Sequence, residues 1–592
     1  MTKSENIQCQ NCKRDFRIES EDFDFYKKVD VPPPTWCPEC RLIRRMAWRN
    51  ESSLYKRKCG LCEKPIITIY SPDRPLSVYC KECWVSDKWD PKEYGGEYDF
   101  EKTFFEQFES LLKKIPLVRG DIKGTMENSE YGNYNGNCKN CYLCFSTALS
   151  EDSSYCTNSQ ELKQCMDSNG LKKSELCYEA VDSEKNYRCK YIDRTRESSD
   201  SSFLFGCSNV TNCFMSVNLR SKAHVFRGEQ LTPESYKKKM ESVDLGDAGT
   251  VKKLKKEFQE LKLHALRKSA EIKNSSHVTG DNITNSKNIR ESFDVSDSEN
   301  ISYSMRILKG CRDIYDCHGM VGGELVYEGF GCGFSPRKNL FSFSVDISRN
   351  LKYCAMCHDC SDCFGCVGLR NQKYCILNKQ YSEEEYKNLV AKIREHMDEM
   401  PYEDKKGRVY KYGEFFPAEL SPFSYNETIA QDYFPLTGEE AESRGFSWKV
   451  EDKKDHIPTI ASNDIPQNIK DVEESILKET LQCEHKGECN ERCSTAFRIT
   501  PQEFNLYKKL QIPLPRLCPG CRHFERLKRR NPLKLWSRRC MCQGVKSKGG
   551  EYENTDSHFH GESPCSHEFE TTYDPERPEV VYCEECYQQE VI

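Results

Sequence analysis

The chain has 592 residues, 36 of them cysteine, and although 31% of its residues are charged the net charge is only −6. That length suggests about four ordinary domains rather than one core. The balanced charge excludes bulk attraction to a polyanion, so any partner signal must be local. The first residues, MTKSENIQCQNCKR, contain no apolar run of signal-peptide length, and no stretch of about 18 apolar residues follows. A soluble cytoplasmic protein with no membrane partner is expected. In that compartment C-x2-C pairs read as metal ligands, not as a disulfide framework.

Residues 1–95 carry four such pairs, Cys9/Cys12, Cys37/Cys40, Cys59/Cys62 and Cys80/Cys83. Tetrahedral zinc takes four thiolates, and a C-x2-C knuckle offers two from one tight turn, so the segment reads as a double zinc module. Sequential pairing gives one quartet of Cys9, Cys12, Cys37 and Cys40 and another of Cys59, Cys62, Cys80 and Cys83; an interleaved arrangement is the alternative. The C-x2-C pair followed by Phe16, Phe25-Tyr26, a proline run and CPECR resembles small bacterial zinc-ribbon or treble-clef families. With RNESSLYKRKC and VSDKWDPKEYGGEYDF included, the pattern is similar to large cysteine-rich proteins of candidate-phyla bacteria over most of the chain. The resemblance implies an architecture and no activity.

Residues 96–230 form a first array. Cys141, Cys165, Cys189 and Cys213 recur at 24-residue intervals among polar residues, glycines and asparagines. A stacked rung of that length suits a parallel β-solenoid with an interior column of thiols. Residues 231–274 read as a helical connector. Thr232-Pro233 caps its start, and a lysine-rich helix with one apolar stripe runs from Val251 to Lys273.

A second solenoid-like array spans 275–381. Its Asn339-Leu340-Phe341 and Asp362-Cys363-Phe364 units resemble Asn212-Cys213-Phe214, and Leu219, Arg220, Gln230 and Tyr236 recur as Leu369, Arg370, Gln380 and Tyr386. A capping helix over 382–400 opens with a Ser382-x-x-Glu385 box. Residues 401–480 form an irregular, aromatic-rich linker ending in a short helix over 469–481.

The run Cys354, Cys357, Cys360, Cys363 and Cys366 has the spacing of a cluster-binding loop. The first array, however, places Leu204, Val210 and Ser216 at corresponding positions, so an interior thiol column is the favoured reading over further zinc or an iron–sulfur cluster. Asp316-Cys317-His318 is not read as a nucleophile and base, because neighbours on a strand face opposite ways. Nothing brings Glu324 and Asp346 together. With no Walker loop or dinucleotide fingerprint either, the reading leans away from an enzyme.

Residues 481–592 repeat the N-terminal module at an offset of 481: CSTAFRITPQEFNLYKKLQIPLPRLCPGCR from Cys493 matches CKRDFRIESEDFDFYKKVDVPPPTWCPECR from Cys12. The expected ligands are Cys489, Cys493, Cys518 and Cys521 for one ion and Cys540, Cys542, Cys583 and Cys586 for another, giving four zinc ions per chain. The first pair is widened and the third tightened, so Cys483, His485, Cys565 and His567 stand as substitutes.

Residues 37–64 hold eight Lys or Arg against three acids, and residues 518–548 hold ten against one. Arg41, Arg45 and Arg49 match Arg522, Arg526 and Arg530, and four-residue spacing puts each set on one helix face. Arginine suits bidentate phosphate contact, with Tyr55 and Trp536 as possible stacking rings. A nucleic-acid-binding protein, RNA or ribosome favoured, is therefore the first expectation. A scaffold binding proteins along the solenoid faces is the second, and an enzyme with a site between rungs the third.

Overall fold

The computed structural model describes residues 4–450 and 457–591. Its dominant feature is parallel strand pairing at a separation of 12 residues. In the first array Cys138 pairs with Ser150, Leu162 with Ser174, and Ile192 with Leu204. In the second, Leu351 pairs with Cys363 and Cys363 with Cys375; some steps there are a residue longer or shorter, Ile301 pairing with Ile314, Tyr327 with Leu340 and Ile272 with Ile283.

The 24-residue cysteine spacing is thus two steps of a 12-residue repeat, which corrects the expected unit. The reason lies in the column itself: Ser153, Cys177 and Ser201 occupy the intermediate steps and are buried like their cysteine neighbours. Counting cysteines at 24 residues skips the two serines and passes over Cys177.

Within each step the backbone turns every third residue. Asn137, Asn140, Leu143, Ser146, Leu149 and Asp152 all have φ between 48° and 54°, the left-handed region that asparagine and aspartate enter most readily. The residue after each turns inward: Cys138, Cys141, Cys144, Thr147, Ser150 and Ser153 are all buried. So narrow an interior favours small side chains that can hydrogen-bond the backbone. Ser150 Oγ donates to Ala148 O at 2.9 Å and accepts from Leu162 N at 3.1 Å. Cys189 Sγ lies 3.4 Å from Tyr187 O and 3.5 Å from Ser198 O. The same period explains Cys354, Cys357, Cys360, Cys363 and Cys366, each buried. Burial pushes the Cys144, Cys177 and Cys317 thiols well up and Cys189 to about 12.

Replacing Cys189 by Ala should therefore cost only about 1–2 kcal/mol, because both carbonyls keep their ladder bonds to Asp200 N and Tyr187 N. Denaturant unfolding reads the loss, and metal content should not change.

Aromatic residues one step apart stack on the outer face. Tyr191 and Phe203 lie 4.6 Å apart between ring centroids, as do Phe341 and Tyr353, close to the strand spacing of about 4.8 Å. Helices cover these faces. Helix Ala248–His264 buries Val251, Leu254, Phe258 and Lys262, and Phe258 packs edge-on to Phe203 at 5.6 Å. This helix stops well short of the expected Lys273, since Arg267–Lys268 leaves it to pair with Val581–Tyr582. Helices Pro233–Glu241 and Glu383–Glu399 begin at Thr232 and Ser382, where the caps were read. The expected helix over 469–481 is instead two short 3-10 turns and a strand residue pair.

Two compact units result, each assembled from distant segments. One comprises residues 1–121 and 270–449, the other 122–269 and 450–592. The N-terminal module therefore packs with the second array, and the C-terminal module with the first. Residues 96–121 also leave the first array: helix Phe104–Lys114 sits against the second, Phe104 lying 5.1 Å from Tyr353. Among the described residues no helix is long and apolar enough to cross a membrane.

Candidate metal centres

In the N-terminal module the hairpin of Glu5–Gln8 and Asp15–Ile18 places Cys9 and Cys12 in its turn. Cys37 precedes helix Pro38–Met46, and Cys40 lies on its first turn. The second quartet repeats this design with hairpin Tyr55–Lys58/Pro65–Thr68 and helix Lys81–Trp84. In each quartet the four Sγ atoms lie within 4.8 Å of one another. Cys12–Cys37 and Cys62–Cys80 separate by 3.8 and 3.9 Å. A tetrahedron with metal–sulfur bonds of about 2.3 Å has edges of about 3.8 Å, whereas a disulfide would be about 2.05 Å. Backbone and side-chain N–H groups are aimed at the sulfurs: Cys37 N to Cys9 Sγ at 3.2 Å, Cys80 N to Cys59 Sγ at 3.3 Å and Asn11 Nδ2 to Cys40 Sγ at 3.2 Å. Such donors stabilise thiolates around a cation.

The C-terminal quartets differ from the expected sets. They are Cys483, Cys493, Cys518 and Cys521, and Cys540, Cys565, Cys583 and Cys586. Cys518 N points at Cys483 Sγ at 3.3 Å and Cys583 N at Cys540 Sγ at 3.2 Å, so Cys483 and Cys540 are the structural equivalents of Cys9 and Cys59. Insertions have opened both turns, separating knuckle partners that were adjacent in the first module. Cys489 thus does not take the first place of its knuckle, nor Cys542 the second place of its own. Cys489 lies 3.6 Å from Cys521 at the edge of its quartet. Of the substitutes, Cys483 and Cys565 join the quartets; His485 pairs with Glu491 and His567 with Glu585.

The arginine rows occupy the opposite environment from the expected one. Arg41 Nε donates to Asp316 Oδ1 at 2.9 Å and its Nη2 lies 2.9 Å from Oδ2; Arg44 and Arg45 grip the two oxygens of Glu328 at 2.9 Å each, and Arg44 also reaches Glu414 at 2.7 Å. In the other unit Arg522 and Arg526 share Asp167 at 2.5 and 2.6 Å, Arg529 pairs with Asp193, and Arg530 with Asp182 at 2.9 Å. Arg41, Arg45, Arg49, Arg522 and Arg526 are all buried, and Arg530 is largely covered.

Phosphates cannot reach these guanidinium groups in the folded chain, which corrects the expected nucleic-acid contacts. The single-face geometry is also broken, because the helices end at Met46 and Leu527. Beyond them Arg49 turns to Glu51 at 3.1 Å. Tyr55 is engaged with Glu427, and Trp536 faces Lys534 at 4.9 Å.

Sequence reading missed the carboxylates that receive these arginines. Asp167 and Asp316 stand at left-handed turn positions of the ladders, φ 53° and 52°, and look like ordinary turn aspartates. Burial works to raise the Asp193 carboxyl, but Arg529 and Lys262 outweigh it and hold it at about 2. Its stabilising contribution is present above the usual carboxylate range and is lost as pH falls toward 2.

Asp316-Cys317-His318 does not assemble a catalytic set. Asp316 is held by Arg41, Cys317 Sγ lies 3.2 Å from Tyr315 O inside the ladder, and burial with Arg49, Arg306 and Arg45 keeps His318 neutral. A cleft in the unit of residues 122–269 and 450–592 is lined by Tyr191, Lys255, Arg516 and Arg577. Its cations are internally engaged, Lys255 with Glu179, Arg516 with Ser462 O and Arg577 with Glu579.

No protein-family model matches the chain, and no curated protein matches it. One solved structure, titled a "putative acetyltransferase" from Desulfovibrio desulfuricans G20, overlaps 49% of this chain and 74% of its own at 10% identity with a TM-score of 0.09. That similarity carries no argument about fold or activity. What the chain itself defines is a multidomain protein with many parallel sheets and with cysteine quartets at metal-binding distances.

Proposed function

We propose that this protein is a non-enzymatic scaffold in which four zinc ions order terminal treble-clef-like modules, and these modules brace two four-sided parallel β-solenoids that present their faces to protein partners. All-thiolate tetrahedral sites favour zinc among common divalent ions. The observation that carries the reading is the burial of the arginine rows against ladder carboxylates. The basic helices are spent on internal bracing, which leaves the solenoid surfaces as the contact elements. Those surfaces include Phe334 and Ile347, which are 59% and 63% exposed and joined across one ladder step by Ile347 N donating to Phe334 O.

Binding to single-stranded RNA, structured RNA and duplex DNA at low salt is the test. No saturable binding is expected. Binding that weakens steeply with salt, with a log–log slope lowered by about 0.7–0.9 per arginine removed from Arg522 and Arg526, would overturn the scaffold reading. A photo-crosslinker at Ile347 should give protease-sensitive adducts; nuclease-sensitive ones would count against it.

A further inference from the structure

We infer that the C-terminal module holds a second ion beside its tetrathiolate one, bound by Cys542, His558, His560 and Cys586, with Cys586 Sγ bridging the two. The inference rests on the reading of Cys540, Cys565, Cys583 and Cys586 as a metal site. Its starting point is the difference between the two modules. Strands Tyr55–Lys58 and Pro65–Thr68 enclose residues 59–64, whereas the equivalent Trp536–Arg539 and Glu568–Thr571 enclose residues 540–567. The longer loop carries Cys542, His558 and His560, which have no counterpart in the first module.

The loop folds back so that one donor atom from each of Cys542, His558, His560 and Cys586 lies within 4.8 Å of the others. Cys542 Sγ is 3.6 Å from His558 Nδ1, and Cys586 Sγ is 3.3 Å from His560 Nε2. Bonds of about 2.3 Å to sulfur and 2.0–2.1 Å to nitrogen give tetrahedral S···N edges of about 3.5 Å. Cys542 and Cys586 are fully buried and His558 nearly so.

The far side of each ring is prepared as well. His558 Nε2 faces Glu590 Oε1 at 3.2 Å, and His560 Nδ1 faces Ser563 O at 2.6 Å. Each acceptor takes the proton of the non-ligating nitrogen and so selects the tautomer that turns a lone pair to the ion. Glu590 is itself fixed by Thr555 N at 2.9 Å and Asp556 N at 3.0 Å. Asn554 Nδ2 donates to Cys542 Sγ at 3.3 Å, and Tyr582 Oη donates to Asn554 Oδ1 at 2.8 Å.

Electrostatics favours the pair. A lone dication with four thiolates carries a net charge of about −2; two dications sharing Cys586 among five thiolates carry about −1, less costly in a buried site. Two sulfurs and two imidazoles suit zinc, and with all four positions filled by protein the ion would order the loop over 543–564 and perform no hydrolysis.

The test uses the full chain. Elemental analysis of the double variant His558→Ala/His560→Ala should show about one ion fewer per chain than the wild type, and His560→Cys should restore it. In the cadmium-exchanged wild type, NMR should show two cadmium resonances coupled through the shared sulfur. The double variant should lose that coupling and keep its tetrathiolate resonances. Unchanged metal content in the double variant, or uncoupled resonances in the wild type, overturns the bridged pair. Absence of every tetrathiolate resonance in the wild type would instead overturn the underlying zinc reading.

Discussion

Exchanging Cys37 for Ser should release the ion of the first quartet and unfold the segment from the N-terminal hairpin through helix Pro38–Met46. Structural zinc supplies about 10–16 kcal/mol of apparent binding free energy at neutral pH, comparable with or larger than the whole stability of a domain, about 5–15 kcal/mol. The damage should not stop at the module. Once the helix leaves, Asp316 and Glu328 lose Arg41, Arg44 and Arg45, so the ladder around residues 312–330 should lose protection too. Hydrogen exchange should show both segments opening while residues 138–217 of the other unit stay protected. Retained metal, or opening confined to the hairpin, would count against this coupling. Acidification of the wild type should instead open the modules of both units, because protons compete with zinc for the thiolates of all four quartets.

The second large effect is expected at Asp167. It serves both Arg522 and Arg526, so Asp167→Asn leaves two guanidinium groups buried beside an uncharged amide. Breaking a buried pair from one side costs about 3–5 kcal/mol, and the sharing puts this variant at the upper end. Chemical denaturation followed by probes within residues 122–269 and 450–592 should show the loss. Adding Arg522→Met and Arg526→Met to Asp167→Asn should recover part of it, since removing both sides of a buried ion pair is far milder than removing one. A loss below about 1 kcal/mol would mean that the C-terminal module is held to the ladder by apolar contacts, such as Tyr178 against Tyr507 at 6.0 Å, with the charges merely accommodated.

Much of the chemistry was legible in the residues because ligand chemistry is local. A C-x2-C pair makes its own turn, so Cys9, Cys12, Cys37 and Cys40 could be grouped before any fold was known. Duplication in the chain pointed to the C-terminal copy for the same reason. Legibility failed where insertions separated knuckle partners: Cys483 and Cys493, or Cys540 and Cys565, meet through hairpin pairing and not through spacing. Cys489 and Cys542 have the spacing of a knuckle without its geometry. His558 and His560 became readable only when the loop between the strands was seen to close on Cys586.

The repeat shows the same division. A three-residue period was visible in Cys354 to Cys366 and is the period of the interior, but in the first array Ser153 and Ser201 hid two of the intermediate steps and the 24-residue count passed over Cys177 at the other. What the sequence by itself determined was the set of cysteine quartets in the first module, the presence of stacked arrays and the caps at Thr232 and Ser382, all of which depend on neighbours within a few residues or on simple recurrence. Only the tertiary structure decided which array each module packs with and which way the arginines face. Asp167 stands 355 residues from Arg522, and Asp316 275 residues from Arg41. A charge row on a helix reads the same whether its counter-charges are phosphates in solution or carboxylates on a ladder, and burial alone tells them apart.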